Sequence, residues 1–186
     1  MMTRMGSGRG VTVWLTGLPC SGKSSIAALV AARLEARGRR VEILDGDVVR
    51  THLSKGLGFS RDDRDTNVRR IGFVAHLLTR NGVVVVVAAI SPYAQSRREV
   101  RQLIGDFVEV HVQCPVSECE RRDVKGLYAK ARAGELLAFT GVTDPYEAPE
   151  APELVLDTLE QSLEESVHAL LECLERLGHL RPPGAP

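Results

Sequence analysis

Residues 11–25 read Val11-Thr-Val-Trp-Leu-Thr16-Gly17-Leu18-Pro19-Cys20-Ser21-Gly22-Lys23-Ser24-Ser25. A short apolar run with β-branched residues passes into a glycine-bounded loop. The Ala- and Leu-rich stretch that follows, to Arg37, has the composition of a helix and stops at Gly38. Gly17 to Ser24 fits G-x-x-x-x-G-K-[ST] without mismatch, and in the strand–loop–helix context that gives the pattern its meaning. Gly17 and Gly22 let the backbone turn tightly, so that successive N–H groups converge as an anion nest. The helix behind adds its positive end. Lys23 is then placed to reach the β- and γ-phosphates of ATP, and the Ser24 hydroxyl to hold Mg2+. The competing reading, a glycine turn that merely caps a helix, does not require the lysine and serine that follow. Gly17 to Ser25 is therefore the expected ATP-binding loop. Cys20 within it reads as a small loop filler, although a helix N-terminus lowers thiol pKa and leaves a redox role open.

Outward from this loop, apolar runs and helical stretches alternate. Strands are expected at Val41–Leu44, Val83–Ile90, Phe107–Val112 and Leu154–Leu156, the last as an edge or final strand. Val83–Ile90 is apolar on both faces, as a central strand of a parallel sheet covered on both sides should be. Helices are expected from Ser60, an N-cap, to about Arg80, over Arg97–Leu103, from Ser117 to Arg122, and over Ser162–Leu177. The whole is α/β, one domain over residues 1–186 with flexible tails at 1–10 and 181–186, and its site belongs at the carboxyl ends of the strands.

Composition narrows the function classes. Lys plus Arg number 24 and Asp plus Glu 24, so no net field favours nucleic acid or an anionic membrane. The longest apolar run, Val83–Ile90, is too short to span a bilayer, and Met1–Gly10 has no apolar core of a secretory signal. Cys20, Cys114, Cys119 and Cys173 form no C-x-x-C pair and no zinc-ligand spacing. They read as reduced thiols of a cytoplasmic protein.

A guanine-reading N-K-x-D segment is absent, and the third strand ends in Ile90-Ser91-Pro92 with no aspartate. The carboxylates sit instead after the second strand, at Asp45 and Asp47. From there a carboxylate can face the γ-phosphate, orient an attacking hydroxyl, take its proton or hold Mg2+. Arg64 and Asn67 share a helix face with Val68 and Ile71, which places a cation and an amide at the entrance of an inward-facing stripe. A solvated helix start, with Asp65 and Arg69 paired at i,i+4, is the bland alternative. Asp123–Phe139 carries Lys125, Lys130 and Arg132 between Gly126 and Gly134. It suits a lid that closes on the transferring group, and equally an exposed basic helix. These features describe a small-molecule phosphotransferase and leave its acceptor open.

Several further blocks, in order, resemble the adenylyl-sulfate kinase (APS kinase) family: L-D-G-D-V-V-R, L-G-F-S-R-D-D-R-D-T-N-V-R-R, I-S-P-Y, R-D-V-K-G-L-Y-A-K-A-R-A-G-E and F-T-G-V-T-D-P-Y-E-A-P. With the phosphate loop, the resemblance runs from about Val11 to Thr158. It implies a three-layer P-loop kinase fold, a parallel sheet of about five strands flanked by helices with a lid segment. It implies transfer of the ATP γ-phosphate, with Mg2+, to the ribose 3′-hydroxyl of adenosine 5′-phosphosulfate. By similarity Lys23, Asp47, Ser91 and Lys125 are the catalytic group, with Asp47 facing the hydroxyl and Lys125 bridging the two nucleotides. Phe59 would stack on the substrate adenine and Phe139 would close over it. Arg64, Asn67, Val68 and Arg69 or Arg70 would line the phosphosulfate site, and Ile90 and Ser91 would contact substrate through the backbone. Direct in-line transfer needs no covalent step on Ser91. The resemblance also implies a homodimer.

Overall fold

The computed structural model describes residues 9–136 and 138–181. Of the expected tails, 1–8 and 182–186 lie outside the described residues. Arg9 pairs with Asp106, and Gly10 is buried where a Cβ would come within 2.1 Å of the Thr79 carbonyl oxygen.

Within the described residues five strands, β1 (Val11–Thr16), β2 (Val41–Asp45), β3 (Val84–Ala88), β4 (Phe107–Gln113) and β5 (Leu154–Asp157), form one parallel sheet in the order β2-β3-β1-β4-β5. Among the described residues seven helices accompany them: α1 (Lys23–Ala36), α2 (Gly46–His52), α3 (Arg61–Thr79), α4 (Ala94–Ile104), α5 (Val116–Arg122), α6 (Leu127–Arg132) and α7 (Leu163–Arg176). The pleat sends alternate residues of each strand to opposite faces, and each face has its own core. On one, Val13 and Leu15 of β1, Val86 of β3 and Val110 of β4 meet Ile26 and Val30 of α1 and Leu170 of α7. On the other, Trp14, Val85 and Val87 meet Val49 of α2, Ile71 of α3 and Val100 of α4. The result is the expected three-layer α/β sandwich, with β1 in the middle, buried along its whole length.

Several boundaries differ from the sequence reading for reasons that lie in tertiary contacts. β3 stops at Ala88 because the chain bends out of the sheet into Ser91, a residue with φ 46. α4 begins at Ala94, three residues before Arg97, because the Glu147 carboxylate accepts the Ala94 N–H at 2.7 Å. α2 was not expected from its glycine and β-branched residues. Asp45 starts it, accepting the Asp47 N–H at 3.0 Å as an N-cap. A third, smaller apolar cluster lies beyond the ends of β1 and β4. Cys114, Cys119, Tyr128, Ala131 and Phe139 form it, and it joins the basic segment to the phosphate loop.

Candidate active site

Each strand delivers a piece of the site at its carboxyl end: the Gly17–Ser24 loop after β1, Asp45 and Asp47 after β2, Ile90 and Ser91 after β3, Cys114 after β4 and Thr158 after β5. The phosphate loop has the conformation its glycines allow. Gly22 caps α1 in the left-handed region at φ 101, and Cys20 takes φ 61. At Gly17 a Cβ would come within 2.4 Å of the Val112 carbonyl oxygen, so a side chain is excluded there. The loop is held from outside by the Tyr128 hydroxyl, which donates to the Pro19 carbonyl at 3.1 Å, and by the Thr158 hydroxyl, which donates to the Ser21 carbonyl at 2.9 Å.

Lys23 is only 8% exposed, and its ammonium donates to the carbonyls of Gly17 (2.9 Å) and Leu18 (2.6 Å) and to Ser21 Oγ (3.2 Å). Burial brings its pKa down to about 8, against the smaller opposing pull of nearby acidic groups. An ammonium at the start of α1, held by two carbonyls and a hydroxyl and, among the described residues, by no carboxylate, is arranged for an incoming polyanion. Ser24 and Ser25 are exposed at the start of α1, and Ser24 Oγ donates to Asp45 Oδ2 at 2.7 Å.

Asp45 thus serves two neighbours. One carboxylate oxygen holds the Ser24 hydroxyl and the other caps α2, which fixes Asp47 at the exposed first turn. Asp47 Oδ2 in turn meets Lys125 Nζ, the cation of the basic segment, and this contact raises the Lys125 pKa. Ser24, Asp45, Asp47 and Lys125 are therefore contiguous.

Around Phe59, 56% exposed, stand two guanidinium groups: Arg50 Cζ lies 4.5 Å from the ring centroid and Arg64 Cζ 5.7 Å. Arg50 was missed in the sequence. Its signal was the arginine one helical turn beyond Asp47, within the block L-D-G-D-V-V-R. Burial and then the like charge of Arg64 lower its pKa, and its guanidinium donates to the Gly58 carbonyl at 3.1 Å. Arg64 is buried and ties α3 to the far end of the lid, donating to the Phe59 carbonyl (2.9 Å), Thr140 Oγ1 (2.8 Å) and the Ala138 carbonyl (2.7 Å). Asn67 is buried beside it on α3, and its Oδ1 has no partner among the described residues, an unmet acceptor in a polar wall.

Five expected residues are placed differently. Val68 lies in the core under α3, 2% exposed, and offers no surface to a ligand. Arg69 points along the outer side of α3, where Nε donates to Glu99 at 2.7 Å, so its partner is on α4 and not Asp65. Arg70, also exposed, donates to the Leu53 carbonyl at 3.0 Å. Phe139 packs edge-on against Tyr128 at 4.9 Å within the third cluster, so it is lid core. Ser91 is 3% exposed and its hydroxyl accepts from Trp14 Nε1 at 3.1 Å, turned into the core. Ile90 stays half-buried at the rim, and its carbonyl accepts the Thr16 hydroxyl at 2.7 Å.

Comparison with known proteins follows the same lines. The family described as adenylylsulphate kinase matches residues 9–157. An adenylyl-sulfate kinase of Picosynechococcus is 62% identical over 174 residues, covering 94% of this chain and 98% of that one. The solved Mycobacterium tuberculosis APS kinase CysC, in complex with AMPPNP and APS, superposes with a TM-score of 0.86 at 48% identity, covering 90% of this chain and 99% of that one. A hexameric APS kinase from Thiobacillus denitrificans gives a TM-score of 0.72 at 43% identity, covering 94% of this chain and 30% of that chain.

Proposed function

We propose, from the premise that this chain belongs to the adenylyl-sulfate kinase family, a division of its open face into a donor half and an acceptor half that meet at Asp47. The chain is an ATP-dependent kinase that moves the γ-phosphate of ATP to the 3′-hydroxyl of adenosine 5′-phosphosulfate, giving ADP and 3′-phosphoadenosine 5′-phosphosulfate.

In the donor half the Gly17–Ser24 amides and Lys23 hold the triphosphate. Ser24 and the adjoining Asp45 offer hard oxygen donors that fit Mg2+. Mg2+, when bound, neutralises charge on the β- and γ-phosphates. In the acceptor half Phe59 supplies the stacking face for adenine. Arg50, Arg64 and Asn67 supply the cations and amide for the phosphosulfate, and the Ile90–Ser91 backbone forms the floor. Asp47 takes the proton of the attacking hydroxyl. Lys125 leaves Asp47 for the transferring group as the lid closes, and so hands the carboxylate its free form. Phe139 contributes by holding the lid together from within.

The observation that carries this reading is the contiguity of Ser24, Asp45, Asp47 and Lys125 in front of the phosphate loop. The test is ADP release by the purified protein with ATP and Mg2+ as APS is added. Absence of APS-dependent ADP, or equal ADP release with a sugar or nucleoside, would sink it. Asp47→Asn is expected to lower kcat by about a hundredfold or more while leaving ATP binding nearly unchanged; equal loss of both refutes the acceptor-side role. A homodimer in the cytoplasm belongs to the same reading. The four free thiols agree with a reducing compartment, and sedimentation decides the assembly.

A further inference from the structure

We infer that Arg97 is a positioning residue for the acceptor half, one that fixes the turn at Ser91 and the return of the lid at Glu147 in a single geometry. The inference rests on the kinase reading above. Arg97 lies in the first turn of α4, 2% exposed, and all three of its donor positions are used. Nε donates to Glu109 Oε1 at 2.8 Å, Nη1 to the Ser91 carbonyl at 2.6 Å and Nη2 to the Glu147 carbonyl at 2.7 Å. Two of the three acceptors are main-chain groups of segments that border the site.

A buried ion pair is a poor way merely to fill space, because an apolar pair of the same volume avoids its desolvation cost. What an apolar pair cannot do is bind two carbonyls in a fixed fork. The neighbouring Arg101 supplies the contrast. It bridges Glu109 (3.2 Å) and Glu153 (2.7 Å) under β4 and touches no segment of the site.

The turn that Arg97 holds is one that needs holding. Ser91 has φ 46, a left-handed conformation that an L residue keeps only when its surroundings impose it. Trp14 Nε1 binds its hydroxyl from one side and Arg97 its carbonyl from the other. The preceding carbonyl, of Ile90, is bound by Thr16, the last residue before the phosphate loop, and the Thr16 hydroxyl also meets the Tyr146 hydroxyl at 3.0 Å.

The second segment is the continuation of the lid. Glu147 donates its N–H to the Pro92 carbonyl at 2.8 Å, and its carboxylate receives the Ala94 N–H at 2.7 Å. Three residues back, Asp144 lies 3.5 Å from Arg64 Nη2. A lid returning through Asp144 and Glu147 is therefore moored to α3 by Arg64 and to the acceptor floor by Arg97. The donor loop receives no such contact from Arg97. Loosening this fork should misplace the acceptor and spare ATP.

The experiment is steady-state kinetics against each nucleotide, with thermal unfolding alongside, on Arg97→Lys, Arg97→Gln and Arg101→Met. Arg97→Lys keeps the charge beside Glu109 and loses the fork. It and Arg97→Gln are expected to raise the APS KM by about tenfold, with the ATP KM within about twofold of wild type. Arg101→Met is expected to lower the melting temperature while leaving both KM values near wild type. Equal loss for both nucleotides in Arg97→Lys, or the same APS shift in Arg101→Met, overturns the inference and makes the network purely structural. Should Arg97→Lys fail to fold, Arg97→Gln decides alone, since it removes the guanidinium fork and leaves Glu109 paired with Arg101; an unchanged APS KM in it refutes the proposal. Wild-type protein without APS-dependent ADP release refutes the kinase reading instead.

Discussion

Lys23 shows how much of a residue's chemistry is set by what surrounds it. The motif announces a phosphate-binding lysine, but its acidity depends on burial among the carbonyls of Gly17 and Leu18. Burial brings the pKa down from 10.5 to about 8, so at pH 9 the amine of the empty loop is mostly neutral and at pH 6.5 it is charged. A bound triphosphate favours the ammonium and raises the pKa again. Binding of ATP at pH 9 should therefore draw close to one proton onto the protein, and at pH 6.5 almost none from this group. Titration calorimetry in buffers of different ionisation enthalpy reads the number directly, and an uptake that is the same at both pH values rules the assignment out. The same shift destabilises the empty fold below about pH 8, and the unfolded chain then binds the extra proton up to about pH 10.5, so this contribution to stability improves across that window. Other residues were legible in type and not in direction. Arg64 was found on the right helix face, but its partners, Ala138 and Thr140, are more than seventy residues away in sequence. Arg69 chose Glu99 over Asp65 because α4 packs beside α3.

At the scale of elements, local signals located nearly everything that has a strong period. The strands of the sheet follow from apolar runs, α1 from its Ala and Leu content and the stop at Gly38, α3 from its apolar stripe and the Ser60 cap, and α7 from its amphipathic pattern, with a Ser162–Glu165 capping box at its start. Apart from the end of β3, the elements that were missed or mis-bounded include α2 and the start of α4, which depend on single side chains that bind N–H groups: Asp45 for one, Glu147 for the other. Gly72, in the middle of α3, is a case where local propensity and packing give opposite answers. Alanine is a better helix former by about 1 kcal/mol. A Cβ at Gly72, however, would stand 2.3 Å from Val100 Cγ1 and 2.8 Å from Val100 Cβ, because α4 crosses α3 at this point. Overpacking a close helix contact costs about 1–3 kcal/mol. Gly72→Ala should therefore destabilise the protein by up to about 2 kcal/mol in chemical denaturation, net of the propensity gain. Adding Val100→Ala in that background should recover part of the loss, giving a coupling of opposite sign to the single effects. A stabilised Gly72→Ala would show that the crossing of α3 and α4 is looser than these distances.

Over the whole molecule the two large cores lie on opposite faces of one sheet, whereas the lid has a small cluster of its own around Tyr128 and Phe139. Small clusters with exposed tethers open more readily than a sheet unfolds. The tethers between lid and body include buried ones, Tyr128 to Pro19, Arg64 to Ala138 and Thr140, and Arg97 to the Glu147 carbonyl, and one exposed one, the Lys125–Asp47 pair, whose side chains are 54% and 70% exposed. An exposed ion pair contributes about 1 kcal/mol at most, and less in salt. Lys125→Ala should thus speed amide exchange in α6, Leu127–Arg132, by about fivefold or less, and 0.5 M salt on the wild type should do much the same. The amides of β1 and β3, buried in the centre of the sheet, report on global unfolding and should keep their rates under both treatments. If they accelerate along with α6, the lid is not a separate cooperative unit and closure cannot be a local event. If α6 alone responds, the pair between Asp47 and Lys125 is a weak clasp between the two halves, one that a bound acceptor can undo because the fold spends so little free energy on keeping it shut.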